Sequence, residues 1–178
     1  MVDVNDQAKA RPGARPVPGR RPPAAIFNAR LASRMAPAGL HTITEQPRTG
    51  TAQEVAAYKR TLLTTYRRSG VPVSTPVWAA EAGGRFYVRS ERTAGKVKRL
   101  PNDSRVLIAP CTVRGKPLGA PLEARASVVA KQDEHVAEQA LVHRYGVGRA
   151  LFEWTFDRLR IDMCYLEIVP GPWQGDLT

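Results

Sequence analysis

The sequence predicts an α+β protein built on a mainly antiparallel, barrel-like β-sheet with flanking helices. Between residues 71 and 130, short runs rich in Val, Ile, Tyr and Thr alternate with turn residues. These runs are joined by hairpin-length turns rather than by the long crossovers of a parallel sheet. Helical patterns precede, interrupt and follow them, so the helices flank the sheet.

The first predicted element is a helix that begins at Thr51. Thr51-Ala52-Gln53-Glu54 fits a capping box, in which a Thr hydroxyl and a Glu carboxylate satisfy amides of the first turn. Apolar residues then recur at helical spacing, and Gly70 is a C-terminal stop. This apolar face comprises Val55, Tyr58, Leu62, Leu63 and Tyr66.

Five strands and three further helical segments are predicted downstream. Gly83-Gly84 indicates a hairpin between the first two strands, and Arg114-Gly115-Lys116-Pro117 a turn between the next two. The predicted strands are VPVSTPVWAAE (71–81), RFYVRS (85–90), RVLIAPCTV (105–113), GAPLEARASVVA (119–130) and MCYLEIVP (163–170). The predicted helical segments are one turn before Pro101 and two helices at 132–146 and 148–159.

Residues 1–48 differ in composition from the predicted domain at 49–178. The first fifty residues hold eight Lys or Arg, three acids and seven of the 15 prolines, without apolar periodicity. We expect this basic Pro/Arg-rich tail to be disordered, because it cannot bury enough surface to offset the entropy of ordering. Such a tail can bind nucleic acid, an anionic membrane or a proline-recognising domain. It lacks aromatic residues at stacking spacing, so a solvated extension is favoured and nucleic acid binding is not expected.

Several functional classes are excluded by the sequence. No apolar run is long enough to span a bilayer, and Arg and Pro interrupt any secretory signal, so we expect a cytoplasmic protein. Cys111 and Cys164 lie far apart without metal-ligand spacing, so neither a disulfide nor a metal site is expected. The motifs of serine hydrolases, zinc peptidases and phosphate-loop enzymes are absent.

The strongest candidate for ligand binding is the segment from Thr93 to Arg99. A loop of small residues leads into a helical turn, so amides and hydroxyls lie beside Lys96, Lys98 and Arg99. Phosphate groups bind such arrangements of donors and cations. The alternative is a solvated basic turn, and we favour phosphate binding.

A second candidate comprises Ser74, Thr75, Pro76, Val77 and Trp78. Proline inside a strand disturbs normal ladder bonding, and the hydroxyls and the indole suit a flat aromatic ligand. The alternative is an edge strand with the Trp78 side chain in the core. Ala109-Pro110-Cys111 also places a proline inside a predicted strand. We therefore expect backbone donors there that lack a ladder partner and lie near the same ligand.

These segments together resemble a known family. PVSTPVW, GRFYVRS, GKVKRL, SRVLIAPCTVRGKP and LEARA are similar in order and spacing to the pyridoxamine 5'-phosphate oxidase-like split β-barrel superfamily, in its F-420-dependent class. The resemblance covers most of residues 55–170. It implies an FMN-binding split-barrel fold and a homodimer whose cofactor lies between protomers.

The resemblance also implies an activity. An F-420 (deazaflavin)-dependent oxidoreductase would transfer hydride between the cofactor and a small conjugated or quinone-like substrate. FMN oxidation chemistry, or non-catalytic binding of flavin, haem or tetrapyrrole, remain alternatives. The Arg-Leu-x-Pro ending of pyridoxamine phosphate oxidases is absent, so vitamin phosphate oxidation is not expected.

Site residues follow from the resemblance position by position, and no catalytic residue is assigned. Lys96 matches the phosphate-binding lysine, while Lys98 and Arg99 extend the anion site. Val88 and Arg89 match positions along the cofactor chain. Ser74 through Trp78 match the strand beside the ring, and the segment Ala109, Pro110 and Cys111 belongs to the same cofactor-binding set.

Overall fold

The structure is a computed structural model that describes residues 42–146 and 161–173. Helices α1 to α4 span Thr42–Glu45, Ala52–Ala57, Gly95–Arg99 and Glu134–Tyr145. Strands β1 to β7 span Thr61–Tyr66, Pro72–Val77, Ala79–Ala82, Arg85–Glu91, Arg105–Pro110, Leu122–Val128 and Met163–Pro170. A single 3₁₀ turn, Lys131–Asp133, precedes α4.

The seven described strands form one antiparallel sheet that curls into a barrel. The strand order is β2-β1-β5-β6-β7-β4-β3. Strands β2 and β3 therefore lie at opposite ends of the sheet, although only Trp78 separates them in the chain. Because two residue steps span at most about 7 Å, the two ends of the sheet must approach each other. The mainly antiparallel, barrel-like α+β fold predicted from the sequence is confirmed.

The core fills the inside of the curled sheet. Alternate residues of each strand point inward, as the two-residue period of a strand requires. Helix α2 contributes Val55, α3 contributes Val97, and Leu100 directly follows α3. The largest fully buried strand residues of this core are Leu63, Phe86, Val88, Val106, Ile108, Leu166 and Ile168.

Two helices cover parts of the outer face. Helix α4 packs buried residues, including Ala137 and Leu141, against Ala80 and Tyr87. On another part of the sheet, Ile43 of α1 forms a small buried cluster with Leu62, Ala109 and Cys111. Each of these contacts removes apolar surface from water that the sheet would otherwise expose.

The predicted helix from Thr51 to Gly70 is wrong beyond its first two turns. The capping box is present, with the Thr51 amide donating to Glu54 over 2.9 Å. The chain then becomes extended at Tyr58 and continues as β1. Leu62 and Leu63 are both fully buried because β1 is covered on both faces. A strand that is apolar on both faces imitates helical spacing over a short run.

The other strand predictions are largely confirmed. Gly83 and Gly84 have φ values of 61° and 78°, which a two-residue hairpin turn of this type needs and which glycine adopts readily. The predicted strand 71–81 is divided at Trp78 into β2 and β3, which bond to different neighbours. The helical turn before Pro101, the helix at 132–146 and the last strand are also present.

The predicted tail ends earlier than residue 48. Ile43 is fully buried, and Arg48 forms an ion pair with Glu123, so residues 42–48 pack against the barrel. The rest of the tail and the predicted helix at 148–159 lie outside the described residues. Within the two described ranges, no helix has the length and apolar character needed to cross a membrane.

Candidate anion site and the free edge of the barrel

Helix α3 is anchored at one end of the barrel by its apolar residues. Val97 and Leu100 insert into the core. This anchoring leaves Lys98 exposed and holds Lys96 and Arg99 at the boundary between core and solvent, where both side chains are half-buried. Because Lys96 and Arg99 are three residues apart, they lie on neighbouring positions of the helix surface. The segment therefore presents two partly buried cations at the same end of the barrel.

The Arg99 side chain is held in place by β1 and by the shape of α3. Its Nε donates a hydrogen bond of 2.8 Å to the hydroxyl of Thr65, which is fully buried. A Cβ atom on Gly95 would lie 2.9 Å from Arg99 Nη1, so glycine leaves room for the guanidinium there. With Nε occupied, the Nη groups remain the donors that a ligand can use.

A third cation, Arg67, comes from the turn after β1. Burial lowers the pKa of Arg99, and the positive charge of Arg67 lowers it further. The pKa of Lys96 is likewise lowered, first by burial and then by Arg99, against a smaller opposing effect of Glu91. We call Arg67, Lys96 and Arg99 the cationic cluster. Among the described residues, none of the three forms an ion pair with a carboxylate.

Sequence reasoning placed Lys96, Lys98 and Arg99 together but missed Arg67. The signal in the sequence was a basic pair, Arg67-Arg68, close to a turn glycine. The proximity of this pair to α3 depends on the topology of the sheet. Of the neighbouring predicted residues, Thr93 hydrogen-bonds the Glu91 carboxylate. Its hydroxyl therefore already has a partner within the loop.

The second candidate segment runs along β2, the end strand of the described sheet. Ser74, Thr75 and Pro76 are half-buried, whereas the Val77 side chain lies in the core. The Ser74 hydroxyl lies 2.7 Å from the hydroxyl of Thr64. Contrary to the expectation from the sequence, Pro76 leaves the ladder with β1 unbroken, and the two strands pair over six residues.

Trp78 lies at the crossing from β2 to β3, in an aromatic and cationic cluster. Its indole stacks on Tyr145 with 5.4 Å between ring centres, and the Arg60 guanidinium lies 4.9 Å from the ring. The Tyr145 hydroxyl contacts two main-chain carbonyls, of Lys59 and Ala79, at 2.9 and 2.7 Å. These contacts fix the position at which the sheet closes.

The remaining predicted positions are distributed over both faces of the sheet. Val88 lies in the core, so only its main chain is available to a ligand, and Arg89 lies opposite Tyr165 on the neighbouring strand. Ala109 and Cys111 are covered by Ile43. Burial raises the pKa of the Cys111 thiol to about 11, which leaves it protonated at neutral pH.

Pro110 is buried and has a role in the loop that follows it. Its carbonyl accepts a 2.8 Å hydrogen bond from the Leu118 amide. A Cβ on Gly119 would lie 2.9 Å from the Pro110 ring, and one on Gly115 would lie 3.0 Å from the Pro76 ring. The loop between β5 and β6 therefore packs against both prolines, so the two candidate strands share one neighbouring loop.

A separate groove of about 380 Å³ lies beside α4, lined in part by Tyr87, Val128 and Val136. Arg85 and Glu167 form an ion pair of 2.7 Å within it. It contains none of the predicted ligand-binding residues. The described ranges also contain no group of three His, Cys, Asp or Glu residues arranged to hold a metal ion.

Comparison with solved structures supports the fold. A Bacteroides thetaiotaomicron protein provisionally assigned to 5-nitroimidazole antibiotic resistance is similar over 68% of this chain and 81% of its own, with 12% identity and a TM-score of 0.51. The chain has a split-barrel fold. No protein-family model and no curated protein matches its sequence.

Two further solved structures are similar at lower scores. The haem storage protein HutZ of Vibrio cholerae is 18% identical, with 67% of this chain and 84% of HutZ covered and a TM-score of 0.48. A Listeria innocua protein provisionally assigned as a pyridoxamine 5'-phosphate oxidase is 12% identical, with coverages of 67% and 90% and a TM-score of 0.47. Neither adds to the fold assignment.

Proposed function

We propose that this protein is an F-420-dependent oxidoreductase that holds the phosphate of the cofactor at the cationic cluster. The observation that carries the proposal is the proximity of Arg99 to both Lys96 and Arg67, with no ion pair from any of the three to a carboxylate among the described residues. Like charges that are partly removed from water repel one another. A bound anion relieves this repulsion, so the arrangement is suited to holding one.

The donor set of the cluster fits a phosphate group. Arg99 presents a planar guanidinium whose orientation is fixed by Thr65, and Lys96 adds a compact ammonium beside it. Charge-assisted hydrogen bonds to phosphate oxygens are about twice as strong as neutral ones. Partial burial of both side chains further strengthens their interaction with an anion, because the local dielectric is lower than that of water.

The cofactor itself supplies the hydride when bound, so the protein needs no nucleophile of its own. The residues of this chain bind and orient the cofactor, and they exclude water. Arg99 and Lys96 hold the phosphate end of the cofactor, and we place the ring of the cofactor beside β2. We propose a small conjugated or quinone-like compound as the hydride acceptor.

The surroundings of the cluster favour F-420 over FMN. F-420 carries a polyglutamate tail in addition to its phosphate. Arg68 and Lys98 are exposed on the segments that supply the cluster, and they raise the local positive potential. FMN carries a single phosphate and gains less from these additional cations.

We further propose that two copies of the chain form a homodimer with the cofactor between them. Val71 precedes β2, and Val113 and Leu118 lie in the loop that packs against Pro76; these three residues expose 47%, 60% and 46% of their surface. Contact with a second copy would remove this apolar surface from water. Light scattering on the purified protein should give twice the mass of 19.5 kDa, and a monomer at micromolar concentration would refute this part of the proposal.

The test of the proposed function is F-420 affinity in the wild type, in Lys96→Ala and in Lys131→Ala, which removes an exposed lysine elsewhere. We expect Lys96→Ala to weaken binding at least tenfold and Lys131→Ala to leave it unchanged. Equal affinities in all three proteins would exclude the phosphate site. Oxidation of reduced F-420 by a quinone should then be measured, and tight binding without turnover would indicate a non-catalytic carrier.

A further inference from the structure

The register of β2 determines which way its main-chain groups point. Ladder pairs in antiparallel strands alternate between residues that exchange hydrogen bonds and residues that do not. Pro72 and Pro76 have no N–H, and they pair with Tyr66 and Leu62. The β1–β2 residue pairs that exchange hydrogen bonds are therefore those next to the proline pairs, for example Leu63 with Thr75. The main-chain polar groups of Pro72, Ser74 and Pro76 consequently face away from β1.

Ser74 is the one residue of these three that retains an amide hydrogen. None of the described residues pairs with this side of β2, which ends the sheet order. The hydroxyl of Ser74 lies 2.7 Å from that of Thr64, so the side chain already has a partner on β1. The free edge thus presents one N–H, at Ser74, next to the carbonyl of the same residue.

We propose that the main chain of Ser74 recognises the planar ring of the ligand through a cyclic amide edge. The Ser74 N–H donates to a ring carbonyl, and the Ser74 carbonyl accepts from the adjacent ring N–H. This inference rests on the proposed function, because the ring belongs to the ligand whose phosphate the cationic cluster holds. It replaces the hydroxyl contacts expected from the sequence with a main-chain contact.

The proline pattern selects a ring rather than a peptide strand as the occupant. An added strand needs an N–H at every second residue of the edge, and Pro72 and Pro76 remove two of the three. A ring of the lactam or imide type needs the donor and acceptor of one residue only. Its position also fits the cluster: Ser74 follows Val73, whose partner Thr65 binds Arg99. Ser74 is therefore within about 10 Å of Thr65, inside the span of one cofactor.

The experiment compares Ser74→Pro with Ser74→Ala. Both variants lose the hydroxyl, but only Ser74→Pro loses the amide hydrogen. Proline already occupies the equivalent positions 72 and 76, so the strand tolerates it there. Far-UV circular dichroism and thermal unfolding check that both variants fold. We expect F-420 to bind Ser74→Ala within twofold of wild type and Ser74→Pro at least tenfold more weakly.

A ligand series tests the other half of the contact. FMN methylated at its ring imide nitrogen lacks the donor, so we expect it to bind wild type several-fold more weakly than FMN does. Ser74→Pro keeps the carbonyl at position 74, so methylation should weaken binding to this variant as well. Equal affinity of Ser74→Pro and Ser74→Ala, or no effect of methylation, would overturn the inference. If Ser74→Pro leaves the affinity for F-420 unchanged while Lys96→Ala weakens binding, the Ser74 contact is wrong and the phosphate site is supported. The reverse result would remove the phosphate site and keep the ring contact.

Discussion

The substitution Arg99→Gln separates a binding role of the cationic cluster from a structural one. Within the part of the chain that the structure describes, the Arg99 side chain makes one hydrogen bond, to Thr65. The variant loses this bond, which costs about 0.5–1.5 kcal/mol. It also removes the repulsion of Arg99 by Lys96 and Arg67. For partly exposed charges, solvent screening limits that gain to roughly 0.2–1 kcal/mol per pair. The two effects oppose each other, so the free energy of unfolding should change by less than about 1 kcal/mol.

Ligand binding should respond much more strongly to the same change. A charge-assisted hydrogen bond contributes about 1.5–3 kcal/mol, so the Kd for F-420 should rise about 10- to 150-fold. The measurements are urea unfolding of the free protein and titration with F-420. Arg92→Gln is the matched control, because Arg92 lies in the same segment but is exposed and paired with Asp162 at 3.0 Å. It should leave affinity unchanged.

Either of two results would contradict a ligand-binding role for Arg99. If Arg99→Gln binds F-420 as tightly as wild type, the cluster does not hold the phosphate. If the variant loses more than about 2 kcal/mol of stability, Arg99 supports the fold through Thr65, and its conformation is not evidence for a ligand.

Three other substitutions test the cluster and the closure of the sheet. Gly95→Ala places a Cβ 2.9 Å from Arg99 Nη1, so F-420 affinity should fall several-fold in titration, and unchanged affinity would show that Arg99 does not need this space. The pKa of Lys96 lies below the usual 10.5, so folding favours its neutral form. The free protein should therefore gain stability as pH rises through that lowered pKa toward 10.5. The affinity for F-420 should fall over the same pH range. Lys96→Arg should abolish both trends, and their persistence in this variant would assign them to another group. Tyr145→Phe removes the hydroxyl contacts to two main-chain carbonyls and should lower the free energy of unfolding by about 1–3 kcal/mol, measured by chemical unfolding. The affinity for F-420 should be retained. A large loss of affinity would place Trp78 and Tyr145 in the ligand site.

Local signals predicted much of the fold because each is complete within a few residues. The Gly83-Gly84 turn, the capping box at Thr51 and the alternation in Met163–Pro170 depend on neighbours in sequence. β1 could not be distinguished from a helix, because its two buried faces are covered by segments distant in the chain. Sequence pattern alone cannot show which partners cover a short apolar run.

The candidate site was predictable to the extent that one segment carries it. Lys96 and Arg99 share a helical turn, so their proximity follows from sequence. Arg67 joins them only because α3 crosses the end of the barrel near the end of β1. The outward direction of the Ser74 main chain depends on the pairing of β2 with β1, which no single segment reveals.

The measurement that tests the central claim most directly is titration of the wild-type protein with F-420 and, separately, with FMN, followed by intrinsic tryptophan fluorescence. We predict saturable binding of F-420 with a Kd at least tenfold below that for FMN, and a steep decrease of affinity with added salt. Tighter binding of FMN would contradict the F-420 assignment. Saturation by neither cofactor would contradict the claim that the cationic cluster is a cofactor phosphate site.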